Sequence, residues 1–246
     1  MFFLFLERRE YNEQETSLLD CLYNLYVTYV LDKINETFPD LAKLERYDLQ
    51  LVALAAIADI MPLQNENRIF VKTGILSMKK DSPRPGLREL FSTLKINIEG
   101  INATDLSWTV TPALNAAGRL GVADVTLDLL VETDAKQRDI LANRIVELNE
   151  KRKELVNKAL FMVKDKTKSI ISEYDNKLFI IVDEEIHPGI TGNLAGKIMQ
   201  EENVPAIVVT KSEDCYKGSM RSCRGLITTD FLASFGDFFI NYGGHN

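Results

Sequence analysis

Cysteine and histidine are scarce in this chain of 246 residues. The three cysteines, Cys21, Cys215 and Cys223, lack the paired spacing that a zinc site requires. Their odd number does not indicate a disulfide framework either, so we expect reduced thiols and a cytoplasmic protein. The two histidines, His187 and His245, both stand near glycines.

Long apolar runs and a surplus of positive charge are missing as well. The opening run "MFFLFL" is too short for a secretory signal or a membrane span, and no other stretch could cross a bilayer, so we expect no membrane partner. Lys and Arg number 29 against 36 Asp and Glu, and the net charge of −7 excludes a surface that attracts nucleic acid as a whole. A local basic cleft remains compatible with that charge.

Helical periodicity dominates the first half of the chain. Residues 17–36 place apolar side chains at helical spacing, and "YDLQLVALAAIADIMPL" predicts a helix that ends at Asp59 and is stopped by Pro62. The stretches "SPRPGLREL" and "VADVTLDLLVE" predict two shorter helices. Between them, "TPALNAAGRLG" contains two helix-breaking glycines and predicts a compact polar loop.

A long uninterrupted helix is predicted from Ala135 to about Lys168, with a length of roughly 50 Å. Its narrow apolar stripe, broken at Arg152, indicates a connector between two bodies rather than a core helix. A homodimeric coiled coil is the weaker alternative, because the repeat is short and Arg152 interrupts it. The expected stripe comprises Leu141, Ile145, Leu148, Leu155, Ala159 and Met162.

Strand patterns follow the long helix. "KLFIIVDEE", "TGNLAGKIMQEE" and "VPAIVVTKSE" predict a β-α-β unit, "CYKGSMRS" predicts a further strand, and "TTDFLASFGDFFINYG" predicts a helix. The predicted fold class is therefore α/β. We expect a mainly helical part over residues 1–134, a connecting helix over 135–170 and a small sheet domain over 171–246.

The helical part contains three polar residues that are candidates for chemistry. Asp59 has no positive partner within four residues, so it caps a helix, pairs with a distant arginine or binds a metal. Arg119 suits bidentate binding of phosphate, and Asn115 is close to it in the sequence. An arginine that follows a glycine is also common at helix ends, so both alternatives stay open.

The sheet domain contains further candidates. His187 and Gly189 lie at a junction between a strand and a helix, where backbone N–H groups can face an anion. The alternative is an ordinary tight turn. Ser219 and Arg221, two residues apart on one strand, leave the same face, which suits phosphate but also suits a solvated surface.

In their order, these stretches resemble the RecJ-type single-strand-specific 5′→3′ exonucleases of the DHH phosphoesterase superfamily. The matching segments run from about residue 49 to 246: "LVALAAIADIMPLQNENR", "RPGLREL", "TPALNAAGRLG", "IHPGITGNLAGK", "PAIVV", "KGSMRS" and "YGGH". The first and third segments are specific to the RecJ branch. "HPG", "GSMRS" and "GGH" belong more widely to the C-terminal domain associated with the superfamily.

The resemblance implies a nuclease for single-stranded DNA in repair and recombination, with short RNA as an alternative partner. Family members hold two divalent metals, Mn²⁺ or Mg²⁺, which activate water against a phosphodiester. By position, Asp59 corresponds to the family's last metal-binding aspartate and would have a catalytic role. His245 is implied to act beside the scissile bond. The residues that the resemblance assigns to substrate binding are Asn115, Arg119, His187, Ser219, Arg221, Gly243, Gly244 and His245.

The chain departs from the family pattern before Asp59, where neither an Asp-x-Asp motif nor an Asp-His-His triplet occurs. One carboxylate cannot hold two metals, so we expect a fragment, cut at both ends, that is inactive alone. Two alternatives are a non-catalytic module that binds single strands and a scaffold in replication complexes. The joint presence of the phosphate-binding residues speaks against the scaffold.

Overall fold

The computed structural model describes residues 39–223 and 225–243. The chain divides between Asp81 and Ser82 into two compact units. The helix predicted over residues 17–36 lies outside the described residues, as do the candidates Gly244 and His245. The three-part division predicted at residues 134 and 170 stays a prediction. Within the described ranges, no helix is both long and apolar enough to cross a membrane.

The first unit contains two packed helices, α1 (Pro39–Ala58) and α2 (Asn65–Lys80). A buried hydrogen bond joins them, because Gln50 Nε2 donates to Ser77 Oγ at 3.0 Å. Helix α1 ends one residue before Asp59, as the sequence predicts. The buried apolar side chains of this pair are Ala53, Leu54, Ala56, Ile57, Val71 and Met78.

The second unit begins with three short helices, α3 (Pro85–Thr93), α4 (Thr111–Arg119) and α5 (Asp124–Val131). A single helical turn at Ala103–Asp105 and a π-helical segment at Leu106–Val110 lead directly into α4. The helices predicted from "SPRPGLREL" and "VADVTLDLLVE" are confirmed as α3 and α5.

The polar loop predicted for "TPALNAAGRLG" is wrong, because its first nine residues form helix α4. Pro112 lies in the first turn of α4, directly after the π-helical segment, and the alanines that follow favour the helix. Gly118 is tolerated within the last turn. The helix ends at Arg119 with Leu120 as its C-cap, and Gly121 then takes a φ of +79°, which glycine adopts without strain.

The long helix is confirmed as one element, α6, which runs unbroken from Ala135 to Glu173. Its role as a connector between two bodies stays a prediction. Asp134 caps its start, because the carboxylate accepts a hydrogen bond from the N–H of Gln137 at 2.9 Å. Leu148 packs against the alanines of α4, whereas positions from Val156 onward pack against the sheet that follows. The helix therefore contributes to the packing at both of its ends.

The remaining part is a sheet of three strands, β1 (Phe179–Val182), β2 (Ala206–Ser212) and β3 (Cys215–Arg221), in that spatial order. Strands β1 and β2 are parallel, and the chain crosses between them through a 3₁₀ turn at Pro188–Ile190 and helix α7 (Thr191–Glu202). Strand β3 pairs with β2 in the antiparallel sense. The predicted β-α-β unit and the α/β class are confirmed.

The helix predicted for "TTDFLASFGDFFINYG" is shorter than expected. Helix α8 covers Thr228–Ala233 only, and a 3₁₀ turn follows at Gly236–Phe238. Gly236 lowers the helix propensity at this point. The ring of Phe231 contacts that of Phe235, with centroids 5.2 Å apart, where the chain leaves the helix.

Candidate functional site

The second unit contains an open cleft of about 700 Å³ between helices α4 and α5 on one side and the start of α7 on the other. Its lining combines a polar wall with an aliphatic wall. The lining residues are Leu114, Asn115, Gly118, Arg119, Ala123, Thr126, Leu127, Leu130, Pro188, Gly189, Thr191, Gly192 and Ser219. Three of the residues expected to bind substrate, Asn115, Arg119 and Ser219, are thus brought together from distant parts of the sequence.

Helix α4 carries Asn115 and Arg119 one turn apart, so both side chains leave the same face of the helix. Asn115 is exposed, and Arg119 is half-buried at the last position of α4. The opposite face buries Ala116 and Ala117 against Leu148 of α6. The packing of the alanines therefore fixes the direction in which the two polar side chains point.

Gly189 lies against the end of helix α4. A Cβ atom added to Gly189 would overlap the backbone carbonyl of Arg119, so no larger residue fits this position without movement of the backbone. Arg119 Nη1 in turn donates a long hydrogen bond of 3.5 Å to the carbonyl of Gly189. Glycine is needed here because two backbone segments approach closely, and this approach joins the sheet part to α4.

His187 holds the turn in which Gly189 lies. Its ring nitrogen Nδ1 accepts a hydrogen bond from the N–H of Gly189 at 3.0 Å. Because Nδ1 acts as the acceptor, the neutral ring carries its hydrogen on Nε2. His187 therefore has a structural role, and Nε2 remains as the nitrogen that could donate to a ligand.

Ser219 is linked to the same turn through Thr191. The two hydroxyl oxygens lie 2.9 Å apart, and Thr191 Oγ1 also donates to the carbonyl of Pro188 at 3.1 Å. Thr191 has one hydroxyl hydrogen, and a carbonyl can only accept, so Ser219 supplies the hydrogen between the two hydroxyls. Ser219 must leave Thr191 before its hydroxyl can donate to an anion.

Arg221 and Ser219 stand beside the first turn of helix α7. A Cβ atom added to Gly192 would lie 3.4 Å from Arg221 Nη2 and 3.4 Å from Ser219 Oγ. A side chain at position 192 would therefore narrow the space between the strand and the start of the helix. The N-terminus of a helix carries a partial positive charge, which adds to the charge of Arg221 at this point.

The guanidinium groups of this region repel one another. Burial lowers the pKa of Arg119, and the charge of Arg221 lowers it further. Burial also lowers the pKa of Arg152 on α6; the charge of Arg119 adds to this effect, and Glu150 opposes it. Among the described residues, no carboxylate forms an ion pair with any of these three arginines. Such a cluster is typical of a site that binds an anion.

Arg152 is the member of this cluster that the sequence did not indicate as a site residue. Asn149 orients it, because Asn149 Oδ1 accepts hydrogen bonds from Arg152 Nε at 3.2 Å and from Nη2 at 2.9 Å. Arg152 interrupts the apolar stripe of α6. The sequence signal that could have indicated Arg152 as a site residue is a charged side chain on a helix face that is otherwise apolar.

Four predicted site residues of the described ranges are not among the residues that line the cleft: Asp59, His187, Arg221 and Gly243. His187 and Arg221 stand beside the lining residues Gly189 and Gly192. Asp59 belongs to the first unit, is exposed, and has no ion-pair partner among the described residues. Gly243 is exposed, and no described contact links it to the cleft residues. The described ranges contain no group of three or more His, Cys, Asp or Glu residues that could hold a metal ion. The described residues therefore do not compose the expected two-metal centre.

Comparison with family models identifies residues 167–246 as a DHHA1 domain. The chain is 31% identical over 221 residues to the single-stranded-DNA-specific exonuclease RecJ of Escherichia coli K12, a match that covers 87% of this chain and 38% of that protein. It is also 31% identical over 199 residues to the RecJ of Bacillus subtilis, covering 80% of this chain and 25% of the relative. The chain thus spans less than two fifths of the length of these relatives.

Solved structures agree with the sequence relatives. The chain is similar to RecJ from Thermus thermophilus in complex with Mn²⁺, with a TM-score of 0.71 and 30% identity over 81% of this chain and 29% of that one. The same protein in complex with Mg²⁺ gives a TM-score of 0.69 at 29% identity over 81% of this chain and 30% of that one. A manganese-bound exonuclease RecJ matches with a TM-score of 0.62 and 29% identity over 80% of this chain and 49% of that one.

Proposed function

This chain is a relative of the RecJ exonucleases that carries a DHHA1 domain, and we propose on that basis that it holds single-stranded DNA for a 5′→3′ exonuclease. The described cleft supports the holding step. Arg119 lines the cleft, Arg221 lies beside its lining residue Gly192, and neither is neutralised by a carboxylate in the described part of the chain. That pair of uncompensated arginines is the observation that carries the proposal.

A backbone phosphate is the ligand that fits this arrangement best. Guanidinium groups form charge-assisted, bidentate hydrogen bonds with phosphate oxygens, and a phosphate between Arg119 and Arg221 would relieve their repulsion. Asn115 can donate from its side-chain amide, and the start of α7 adds a favourable dipole. These contacts involve the backbone rather than base edges, so binding would be largely independent of sequence.

Single strands are favoured over duplexes by the net charge of −7. A duplex carries about twice the density of phosphate charge along its axis, so the net negative charge of the chain opposes its binding more strongly. A flexible single strand can follow the cleft and keep its other phosphates away from the surface. We propose single-stranded DNA as the substrate, with short RNA as an alternative ligand.

The setting of this activity is a further part of the proposal. The RecJ relationship points to a hydrolase that uses Mn²⁺ or Mg²⁺ in DNA repair and recombination in the cytoplasm. The described residues contribute Asp59 as one candidate carboxylate, and they do not compose a metal centre. In this proposal the described cleft binds and orients the strand.

A second candidate function, a module that binds single strands without cutting them, is favoured by the same shortage of metal-binding side chains in the described ranges. Digestion of a labelled single strand in Mn²⁺ buffer distinguishes the two candidates. We expect this chain by itself to bind without digesting. Digestion that proceeds with this chain alone would remove the module from consideration.

Fluorescence anisotropy tests the proposed ligand. A 5′-phosphorylated single strand and the duplex of the same sequence are titrated with the protein in low salt. We expect tighter binding of the single strand, and an affinity whose logarithm falls with the logarithm of salt by about 0.7 for each phosphate contacted. Equal or tighter binding of the duplex would contradict the proposal.

A further inference from the structure

One wall of the cleft is aliphatic and has no assigned role. It comprises Leu114 of α4, Ala123 directly before α5, and Leu127 and Leu130 along one face of α5. Leu127 is 60% exposed, so most of its side chain is available to a ligand. Leu129, on the other face of α5, is fully buried in the core. The exposed leucine therefore lies on the cleft face of a helix whose other face is packed.

The position of this wall is fixed by contacts to helix α4. The hydroxyl of Thr126 donates to the backbone carbonyl of Leu114 at 2.9 Å, which ties α5 to α4 beside the cleft. Gly86 of α3 approaches the backbone of Leu129 so closely that a Cβ atom would overlap its carbonyl oxygen. The aliphatic wall is therefore held by contacts of α5 to α4, through the Thr126 hydroxyl, and to α3, through the backbone at Gly86.

The cleft has both polar and aliphatic lining residues. Arg119 and Ser219 line the polar side, and Leu127 and Leu130 line the aliphatic side of the same cleft. A nucleotide has the complementary division, with an anionic phosphate at one end and a flat, largely apolar base face at the other. The cleft volume of about 700 Å³ accommodates at least one such unit.

We propose that the aliphatic wall, with Leu127 as its most exposed member, receives the nucleobase of the nucleotide whose phosphate is bound by Arg119. This inference rests on the proposed binding of single strands and adds a base-binding subsite to it. Leucine contacts every base through its face, so the subsite increases affinity without selecting a sequence. It also favours single strands, because bases in a duplex are stacked and their faces are covered.

The test compares two ligands that differ only in their bases. One is a 5′-phosphorylated thymidine oligonucleotide, and the other is the same backbone with abasic positions at its first nucleotides. The unmodified protein should bind the base-containing strand more tightly. Leu127→Ala should reduce that preference about fivefold. This is the change in affinity expected when about 40 Å² of apolar contact is lost, at about 25 cal/mol per Å².

Val131→Ala is the matched control. Val131 lies on the same helix and is 57% exposed, but it does not line the cleft. Its substitution should leave the preference for bases unchanged. Equal preferences for Leu127→Ala and the unmodified protein, or a similar loss for both variants, would overturn the inference.

Two further measurements separate this inference from the proposed function. Arg221→Lys should weaken binding of both ligands by the same factor and leave their ratio unchanged. If Arg221→Lys has no effect, the proposed phosphate contact fails; if only Leu127→Ala has no effect, the base subsite fails. The aliphatic wall could instead contact a second copy of the chain, and light scattering tests this alternative by measuring the oligomeric mass. If Leu127→Ala changes the oligomeric mass but not the ratio of the two affinities, the wall belongs to a contact between copies and the inference is overturned.

Discussion

Gly189 and the backbone carbonyl of Arg119 are in direct contact, although they are 70 residues apart in the sequence. The contact brings the turn before α7 against the last residue of α4. It is the physical reason why a glycine follows His187 and Pro188. It also means that the position of the Arg119 side chain depends on a turn in the sheet part of the unit.

Gly189→Ala tests this dependence. The added methyl group overlaps a carbonyl oxygen, so we expect a loss of stability of about 1–3 kcal/mol, as for other overpacked sites. We also expect weaker binding of a 5′-phosphorylated single strand, because Arg119 is displaced. Chemical denaturation and fluorescence anisotropy measure the two effects.

The control for this variant is Gly196→Ala, on helix α7. A Cβ atom at position 196 meets only Arg221 Cγ, at 3.9 Å, and alanine is the better helix former. Stability should therefore be unchanged or higher. A similar loss for both variants would show that the Gly189 contact has no special role.

His187→Asn separates the structural role of His187 from a role in binding. Asparagine can accept the N–H of Gly189 through Oδ1 and keep the turn, but it has no group at the place of Nε2. We expect stability within about 0.5 kcal/mol of the unmodified protein. If Nε2 contacts the strand, the affinity of His187→Asn for single-stranded DNA should fall about fivefold, because one modest hydrogen bond is lost. Unchanged affinity would confine His187 to the turn.

The repulsion between Arg119 and Arg221 predicts an unusual effect on stability. Because the pKa of Arg119 is lowered in the folded state, its positive charge costs stability at neutral pH. Arg221→Gln removes part of that cost, so we expect an equal or higher Tm in low salt, together with weaker binding of single strands. The gain should shrink as salt screens the charges.

Arg144→Gln is the control for this variant. Arg144 forms an exposed ion pair with Glu147 at 3.2 Å, so its loss should leave Tm unchanged or slightly lower. Differential scanning fluorimetry at two salt concentrations measures all three proteins. A lower Tm for Arg221→Gln than for Arg144→Gln would contradict the repulsion between Arg119 and Arg221.

Metal binding gives a further prediction. Asp59 is exposed, and the described residues hold no cluster of three potential ligands, so we expect only weak binding of Mn²⁺. A single exposed carboxylate provides far fewer oxygen ligands than a divalent metal requires. Isothermal titration calorimetry should show no tight site, and Asp59→Asn should change the signal little. Two tight sites in the titration would be incompatible with this expectation.

The secondary structure could be predicted where the sequence pattern is local. Helix α6 has no glycine or proline and was expected as one element, and the strand-helix-strand order of the sheet part followed from apolar runs. The buried stripe of α6 was less predictable. Leu141, Leu155 and Met162 are only half-buried, and their neighbours Ala142, Val156 and Val163 are buried instead. The helix packs against different partners along its length, so one narrow stripe cannot describe it.

Some residues of the cleft were singled out from the sequence, but their assembly could not be predicted. Asn115, Arg119 and Ser219 were expected from the sequence, and the structure brings them into one cleft. The hydrogen bond between Thr191 and Ser219 could not be predicted, because it joins residues 28 apart across a helix and a strand. The glycines of "LNAAGRLG" indicated a loop, whereas packing of the neighbouring alanines on α6 favours a helix.

The binding of a strand by Arg221 is measured by comparing Arg221→Lys with Arg144→Lys, each against the unmodified protein. Both changes keep the positive charge and remove the planar fork of a guanidinium group. Fluorescence anisotropy with a 5′-phosphorylated single strand in low salt should show a loss on the order of 1–2 kcal/mol for Arg221→Lys. Arg144→Lys should bind as the unmodified protein does. Equal affinities for all three proteins, or equal losses for the two variants, would contradict a phosphate site at Arg221.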